Sequence, residues 1–173
     1  IKVDTKLHKN VLFQAAIAAQ QTGDSATNAA FFLQPNSGSA SRVPFFQGRF
    51  AFTNMNPFGA KKAGSIGLSG HYGRSRVFTG ATNTKYEVDS VGVAADWNFQ
   101  LHDRVSFAGE AFFGRNLAGF QGGIFQGYNT EFAYRNGSVI TAAGVRAIGT
   151  SGGWTQIGFT PDVLNDKLSL YGT

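Results

Sequence analysis

The chain has no cysteine, so a disulfide framework and a thiolate metal site are both excluded. It has no run of 18 apolar residues, which excludes a transmembrane helix. Charge is scarce: 14% of residues are Asp, Glu, Lys or Arg, against about 25% in ordinary soluble domains. The net charge of +5 is not concentrated, since no basic cluster is denser than Lys61-Lys62. Nucleic acid is therefore not expected as a partner. The chain begins Ile-Lys-Val and shows no secretory signal, as a mature or excised chain would.

What is present is glycine, phenylalanine and alternation. There are 23 glycines and 17 phenylalanines among 173 residues, and 42% of the chain is hydrophobic. From Val91 to Leu101 the odd positions read Val91, Val93, Ala95, Trp97, Phe99, Leu101, and the even ones Ser90, Gly92, Ala94, Asp96, Asn98, Gln100. Successive side chains of a strand point to opposite faces, so one face is apolar and the other small and polar. After a turn at His102-Asp103-Arg104 the pattern resumes with Val105, Phe107, Gly109, Ala111, Phe113 against Ser106, Ala108, Glu110, Phe112, Gly114.

Two strands of about ten residues exceed the usual sandwich strand of about 5–6 residues. They match the roughly 9–11 tilted residues that cross a hydrocarbon layer. The hairpin predicts a membrane barrel whose apolar face meets lipid and whose polar face meets a water-filled lumen. Trp97 and Phe99 then fall where an interfacial aromatic girdle sits.

Similar strands are expected over 11–21, 46–53, 65–73, 139–160 and 167–173, with 1–10 as a turn or incoming edge. Helix competes over 11–21 because Ala and Gln are good helix formers, but Gln14 and Gln20 keep phase with the polar face. Loops are expected at 22–44, carrying Phe31-Phe32-Leu33, at 74–85, and at 116–138, a Gly-aromatic stretch able to fold inward over a pore. The segment 139–160 keeps one phase throughout. It reads as one strand bent at Gly149 and Gly152-Gly153, or as two strands broken there.

The fold class expected is thus all-β, an antiparallel transmembrane β-barrel segment of about seven strands in a single domain, 1–173. Long extracellular loops (22–44, 74–85, 116–138) alternate with shorter periplasmic turns (54–64, 102–104, 161–166). Seven strands do not close a single-chain barrel, so the chain reads as a piece of a larger one. A complete eight-stranded barrel, reached by splitting 139–160, is the alternative.

Several stretches resemble bacterial outer-membrane porins: PFFQGRFAFTNMNPFG, IGLSGHYGRSRV, VDSVGVAADWNFQL, VSFAGEAFFGRNLAGFQGGIFQG and GGWTQIGFTP. The resemblance covers most of 44–173. It implies an outer-membrane location, a passive diffusion channel for small hydrophilic solutes, and a possible homotrimer in contact with the lipid bilayer and lipopolysaccharide. In such porins a closing strand ends in an aromatic residue, whereas this chain ends Tyr171-Gly172-Thr173.

Pore-lining candidates follow from phase: Gln47, Arg49, His71, Asp96, Asn98, Gln100, Glu110, Arg146, Gln156 and Lys167. An Arg or Lys facing lipid at the midplane costs about 2–4 kcal/mol, so Arg49 and Arg146 are sent inward. With Lys167 they predict a mild preference for anionic or neutral solutes. The competing expectation is a packed interior with Arg49–Glu110 or Arg146–Asp96 ion pairs. Ser69 and His71 share a face but lack the orienting third group of a nucleophilic site. His8, His71 and His102 show no metal-ligand spacing. The run from Gly119 to Gly127 lacks the Lys of a phosphate loop. No catalytic residue, metal or cofactor is therefore expected. A structural barrel that anchors or encloses an envelope partner, and a soluble β-sandwich, are the remaining function classes.

Overall fold

The computed structural model describes residues 1–20, 36–79, 84–120, 126–135, 138–161 and 170–172. It is all-β and antiparallel. Ten strands occur among these residues: β1 (Lys2–His8), β2 (Val11–Ala18), β3 (Phe45–Met55), β4 (Gly64–Thr79), β5 (Thr84–His102), β6 (Val105–Arg115), β7 (Tyr128–Arg135), β8 (Ser138–Ala147), β9 (Gly149–Phe159) and β10 (Leu170–Gly172). One short helix, α1 (Ser37–Ser41), precedes β3, capped at its start by Asn36 Oδ1 accepting from Ser39 N. No helix among the described residues is long and apolar enough to cross a membrane, which says nothing of strands.

Eight strands form one sheet in the order β1-β2-β3-β4-β5-β6-β9-β10, and β7 pairs with β8 in a second ladder. Register puts the alternation of every strand in phase. Leu68 of β4 stands opposite Phe50 of β3 and Ala95 of β5. Val93 stands opposite Phe113, and Phe107 opposite Ile157. A slip by one residue on any strand would send its whole apolar set to the wrong side, so this agreement fixes the register.

The expected strand map is corrected at 74–85 and 116–138, and falls on one of the stated alternatives at 1–10 and 139–160. Residues 1–10 carry the incoming edge and not a turn alone: β1 is the edge strand and pairs with β2 from Lys2↔Ala16 onward. The span 74–85 is not a loop, because β4 and β5 continue as a ladder to Thr79↔Thr84. Oppositely charged residues meet across it, Arg74↔Asp89 and Arg76↔Glu87, and satisfy polar side chains that otherwise read as loop. The loop 116–138 contains β7. The segment 139–160 takes the two-strand alternative, with the break at Ile148, next to Gly149.

The division at Ile148 has a clear geometry. β6 pairs with β9 up to Arg115↔Gly149, and β7 with β8 from Tyr128↔Ala147. Between them, Asn116 N donates to Ile148 O (3.0 Å) and Ile148 N donates to Gly127 O (2.9 Å). One residue thus spans the base of an excursion over 116–127. The excursion begins inward: Leu117 is buried against the side of the sheet that carries Ser90 and His71. Asn116 sits at φ 53°, with Nδ2 donating to Ser75 Oγ (3.3 Å) and Val88 O (3.4 Å).

Among the described residues β1 pairs only with β2, and β10 only with β9, so the sheet is not closed there and the complete eight-stranded barrel is not seen. Its connections differ by end. Residues 9–10, 56–63 and 103–104 make the turns at one end, and at the other end β2 stops at Ala18, β4 at Thr79 and β6 at Arg115. The short turns use left-handed positions at Asn54 (φ 57°) and Gly59 (φ 69°). Expected features at 22–35 with Phe31-Phe32-Leu33, and at 162–169, lie outside the described residues.

Asn116→Ala is expected to lower the unfolding free energy by about 1–3 kcal/mol, because it orphans buried groups and puts a Cβ-only residue at positive φ. Asn116→Gly should recover the backbone part and not the hydrogen bonds. Denaturant unfolding of the two variants in detergent checks this, and equal stability to wild type would contradict the bracing role.

Candidate functional site: the polar concave face

The two faces of the eight-stranded sheet differ in chemistry. One carries Val3, Phe13, Ile17, Phe46, Phe50, Phe52, Ile66, Leu68, Val93, Trp97, Phe107, Phe113, Ile157 and Phe159, placed together by register. These residues are not a core. Leu68 is 62% exposed, Val93 52% and Phe113 67%, and the buried hydrophobic residues among those described are Ala51, Ala60, Val88 and Leu117. Trp97 lies across β6 at Gly109, where a Cβ would stand 2.5 Å from its ring, and its ring centroid is 5.9 Å from that of Phe107.

The opposite face curls around a concavity of about 630 Å³, bordered by strands from β1 to β9. Polar groups are linked across it strand by strand. Lys2 Nζ is 3.0 Å from Asp4 Oδ2. Gln14 Nε2 donates to Asp4 Oδ1 (2.9 Å), and Arg49 Nη1 donates to Gln14 Oε1 (3.2 Å). Arg49 then holds Asp96 in a two-bond fork, with Nε to Oδ1 at 3.0 Å. The fork passes over β4 at Gly67, where a Cβ would stand 2.5 Å from both Arg49 Nη2 and Asp96 Oδ1. A side chain there would drive the pair apart, so the glycine is the condition for the planar, bidentate contact.

Of the residues expected to line a pore, Gln47, Arg49, His71 and Glu110 border the concavity, and Asp96 is reached through Arg49. Asn98 and Gln156 share this face by register, both opposite Ala108 and nearer the short turns. Gln100 is folded into the turn, donating from Nε2 to His102 O (2.9 Å) and Asp103 O (3.2 Å). Arg146 is exposed on β8, opposite Asn129 in the separate β7–β8 ladder. Lys167 lies outside the described residues. Neither expected ion pair forms: Arg49 takes Asp96, not Glu110, and Arg146 is not on the strand neighbouring Asp96. The geometric reason is that Arg49 and Asp96 flank Gly67, whereas Glu110 lies one strand further on. Among the described residues, the cations bordering the concavity are thus already matched, and Glu110 is the charge without a counterion.

Sequence reasoning missed Lys2, Asp4 and Leu117 as members of this face, while Gln14 is on the polar side by phase without being among the pore-lining candidates. Lys2 and Asp4 had a signal: with Lys6 they alternate with Val3, Thr5 and Leu7, as a strand of this sheet should.

His71 has a different partner from the one its sequence neighbours suggest. Its Nε2 is 3.2 Å from Ser90 Oγ, and the buried Ser90 hydroxyl donates to Asn116 O (2.8 Å). With that proton committed, the imidazole is the donor of the His71–Ser90 bond. Ser69 Oγ meanwhile faces Ala94 O at 3.4 Å. The Ser–His contact ties the start of the excursion to β4 and β5. Among the described residues no group of three or more His, Asp or Glu is placed to hold a metal.

Beyond Tyr72 and Val91 the exposed apolar face turns charged. Arg74 Nε contacts Asp89 Oδ1 at 2.7 Å and its Nη1 contacts Glu87 Oε2 at 2.9 Å. Arg76 Nη2 contacts Glu87 Oε1 at 2.6 Å, and Tyr72 OH donates to Asp89 Oδ1 at 3.2 Å. The Arg74 guanidinium holds the Asp89 carboxyl below its ordinary value, and the Arg76 guanidinium does the same for Glu87. Groups with depressed values stabilise the fold above their ordinary values of 3.8 and 4.5, and that contribution is lost as pH falls through the lowered ones. Amide exchange over 74–79 and 84–89, corrected for intrinsic rates, should accelerate between pH 5 and pH 3. Exchange over 92–99 should not follow it, and parallel behaviour of both stretches would remove the ion pairs as the cause.

Comparison with family models, with curated proteins and with solved structures gives no match for this chain.

Proposed function

We propose that the sheet is part of the wall of an outer-membrane β-barrel that passes small hydrophilic solutes by diffusion. The supporting observation is the exposed apolar face: its large side chains belong to strands from β1 to β10 and are left uncovered, while the opposite face is polar and hollow. Leaving such side chains in water forfeits about 1.5–3 kcal/mol each relative to burying them. Patches of this extent call for an apolar partner. A second sheet supplies it in a sandwich, but among the described residues the large side chains of this face stay exposed and are not covered by one.

Dimensions agree with lipid as that partner. From Val91 to Leu101 the strand advances about 33 Å at about 3.3 Å per residue, or roughly 24 Å vertically at a tilt near 45°. An outer-membrane barrel presents an apolar band about 25 Å tall. The band is bounded by the Arg74, Arg76, Glu87, Asp89 and Arg115 cluster at one end and by Lys61, Asp103 and Arg104 at the other. Trp97, Phe99, Phe107 and Phe58 gather near the second boundary, where aromatic girdles lie. The two open edges, β1 and β10, close through each other or through further strands.

The lumen in this reading is polar with its cations matched, which favours neutral polar solutes and leaves anions without the basic attraction that Arg49, Arg146 and Lys167 would have given together. Purified protein in planar bilayers is expected to give ohmic conductance steps, and a persistently silent bilayer with correctly folded protein would refute the channel. Leu68→Arg, near the middle of the band, should cost about 2–4 kcal/mol of stability in liposomes. Ser69→Arg, on the hollow side, should cost clearly less. Equal costs would place the hydrocarbon elsewhere.

A further inference from the structure

Glu110 stands out on the concave face because its neighbours are rings and not cations. It is opposite Trp154 on β9 and Asp96 on β5, and Asp96 is occupied by Arg49. Trp154 is 50% exposed although it faces the hollow side. Phe112, two residues along β6 on the same face, lays its ring over Gly152, where a Cβ would stand 2.8 Å from Phe112 Cζ. Glu110, Phe112 and Trp154 all border the same concavity.

We infer that Glu110, Trp154 and Phe112 form a binding site for small organic ammonium cations. A cation over the face of Trp is drawn by the ring quadrupole, and Trp is the strongest of the aromatic side chains in this respect. A carboxylate beside the ring supplies the opposite charge, and Glu110 is unoccupied among the described residues. Anions are excluded by the same carboxylate. A bare divalent metal is a poor occupant, since hard cations need about six oxygen ligands and, among the described residues, no group of three or more acidic or histidine side chains is placed to hold one. Only a cation with an apolar skin uses both the carboxylate and the rings. The site lies on the concave face whatever borders the other face, so it extends beyond the channel proposal and is tested apart from it.

The chain has two tryptophans, Trp97 and Trp154. In a Trp97→Phe background Trp154 is the sole indole fluorophore. Full-length protein in detergent is titrated with tetramethylammonium chloride at constant ionic strength maintained with sodium chloride. A saturable change in Trp154 emission is expected, shifted to about tenfold higher concentration in Glu110→Gln, and insensitive to sodium acetate. Should Trp97→Phe fail to fold, the same titration is run on wild type against Trp154→Phe, which should lose the saturable change. No saturable change in protein that retains its strand circular dichroism, or an unshifted one in Glu110→Gln, overturns the proposal. Saturable binding in a protein that forms no conductance steps upholds this site while refuting the channel.

Discussion

Everything in this protein depends on one sheet keeping its apolar and its polar side chains on opposite faces. A strand cannot meet it alone. Phe50, Leu68, Ala95 and Ala111 are collected into one row only because β3, β4, β5 and β6 pair without a slip. Hydrogen-bonded ladders supply the register and side-chain alternation supplies the penalty for leaving it. The same register that sets the apolar rows delivers Gln14, Arg49, Asp96, Glu110 and Trp154 to one continuous polar surface.

That polar surface is organised by proximity more than by net charge. Arg49 reaches across an unsubstituted β4 position to Asp96, and this contact uses up the strongest cation on the concave side. Charge counting along the chain places Arg49 and Glu110 on the same face and cannot tell which acid the guanidinium selects. The choice is made by strand spacing: an intervening glycine permits a two-strand reach, while a further strand does not. Electrostatic character on such a face is a property of neighbours in the sheet, which sequence order hides.

Much of the fold is legible in the residues. The hairpin of β5 and β6 follows from simple alternation, and so does β3 with the lower part of β4. The parts that escape are those where alternation is written in unfamiliar letters. Over β1 it is Lys2, Asp4 and Lys6 against Val3, Thr5 and Leu7, which looks merely polar. In the far part of β4 and β5 the exposed apolar row gives way to charges, and only the complementarity of Arg74 with Asp89 and Arg76 with Glu87 marks the pairing as continuing. The junction at Ile148 has no local signature, because its cause is the distant pair Asn116 and Gly127. Of the concave face, Gln47, Arg49, His71 and Glu110 were readable from phase, whereas Leu117 enters from an excursion that phase does not describe.

The bracket at Ile148 separates the dimensions of the sheet from the length of the chain between its anchors. Asn116 and Gly127 are pinned to the same residue, so the gap between the ends of the excursion is fixed by the ladder and not by its contents. Doubling a loop of that kind adds only about 0.6 kcal/mol of closure cost. The two anchors therefore set where the chain departs from β6 and where it meets β9 again, while Leu117, buried on the concave side, ties the chemistry of that departure to the sheet.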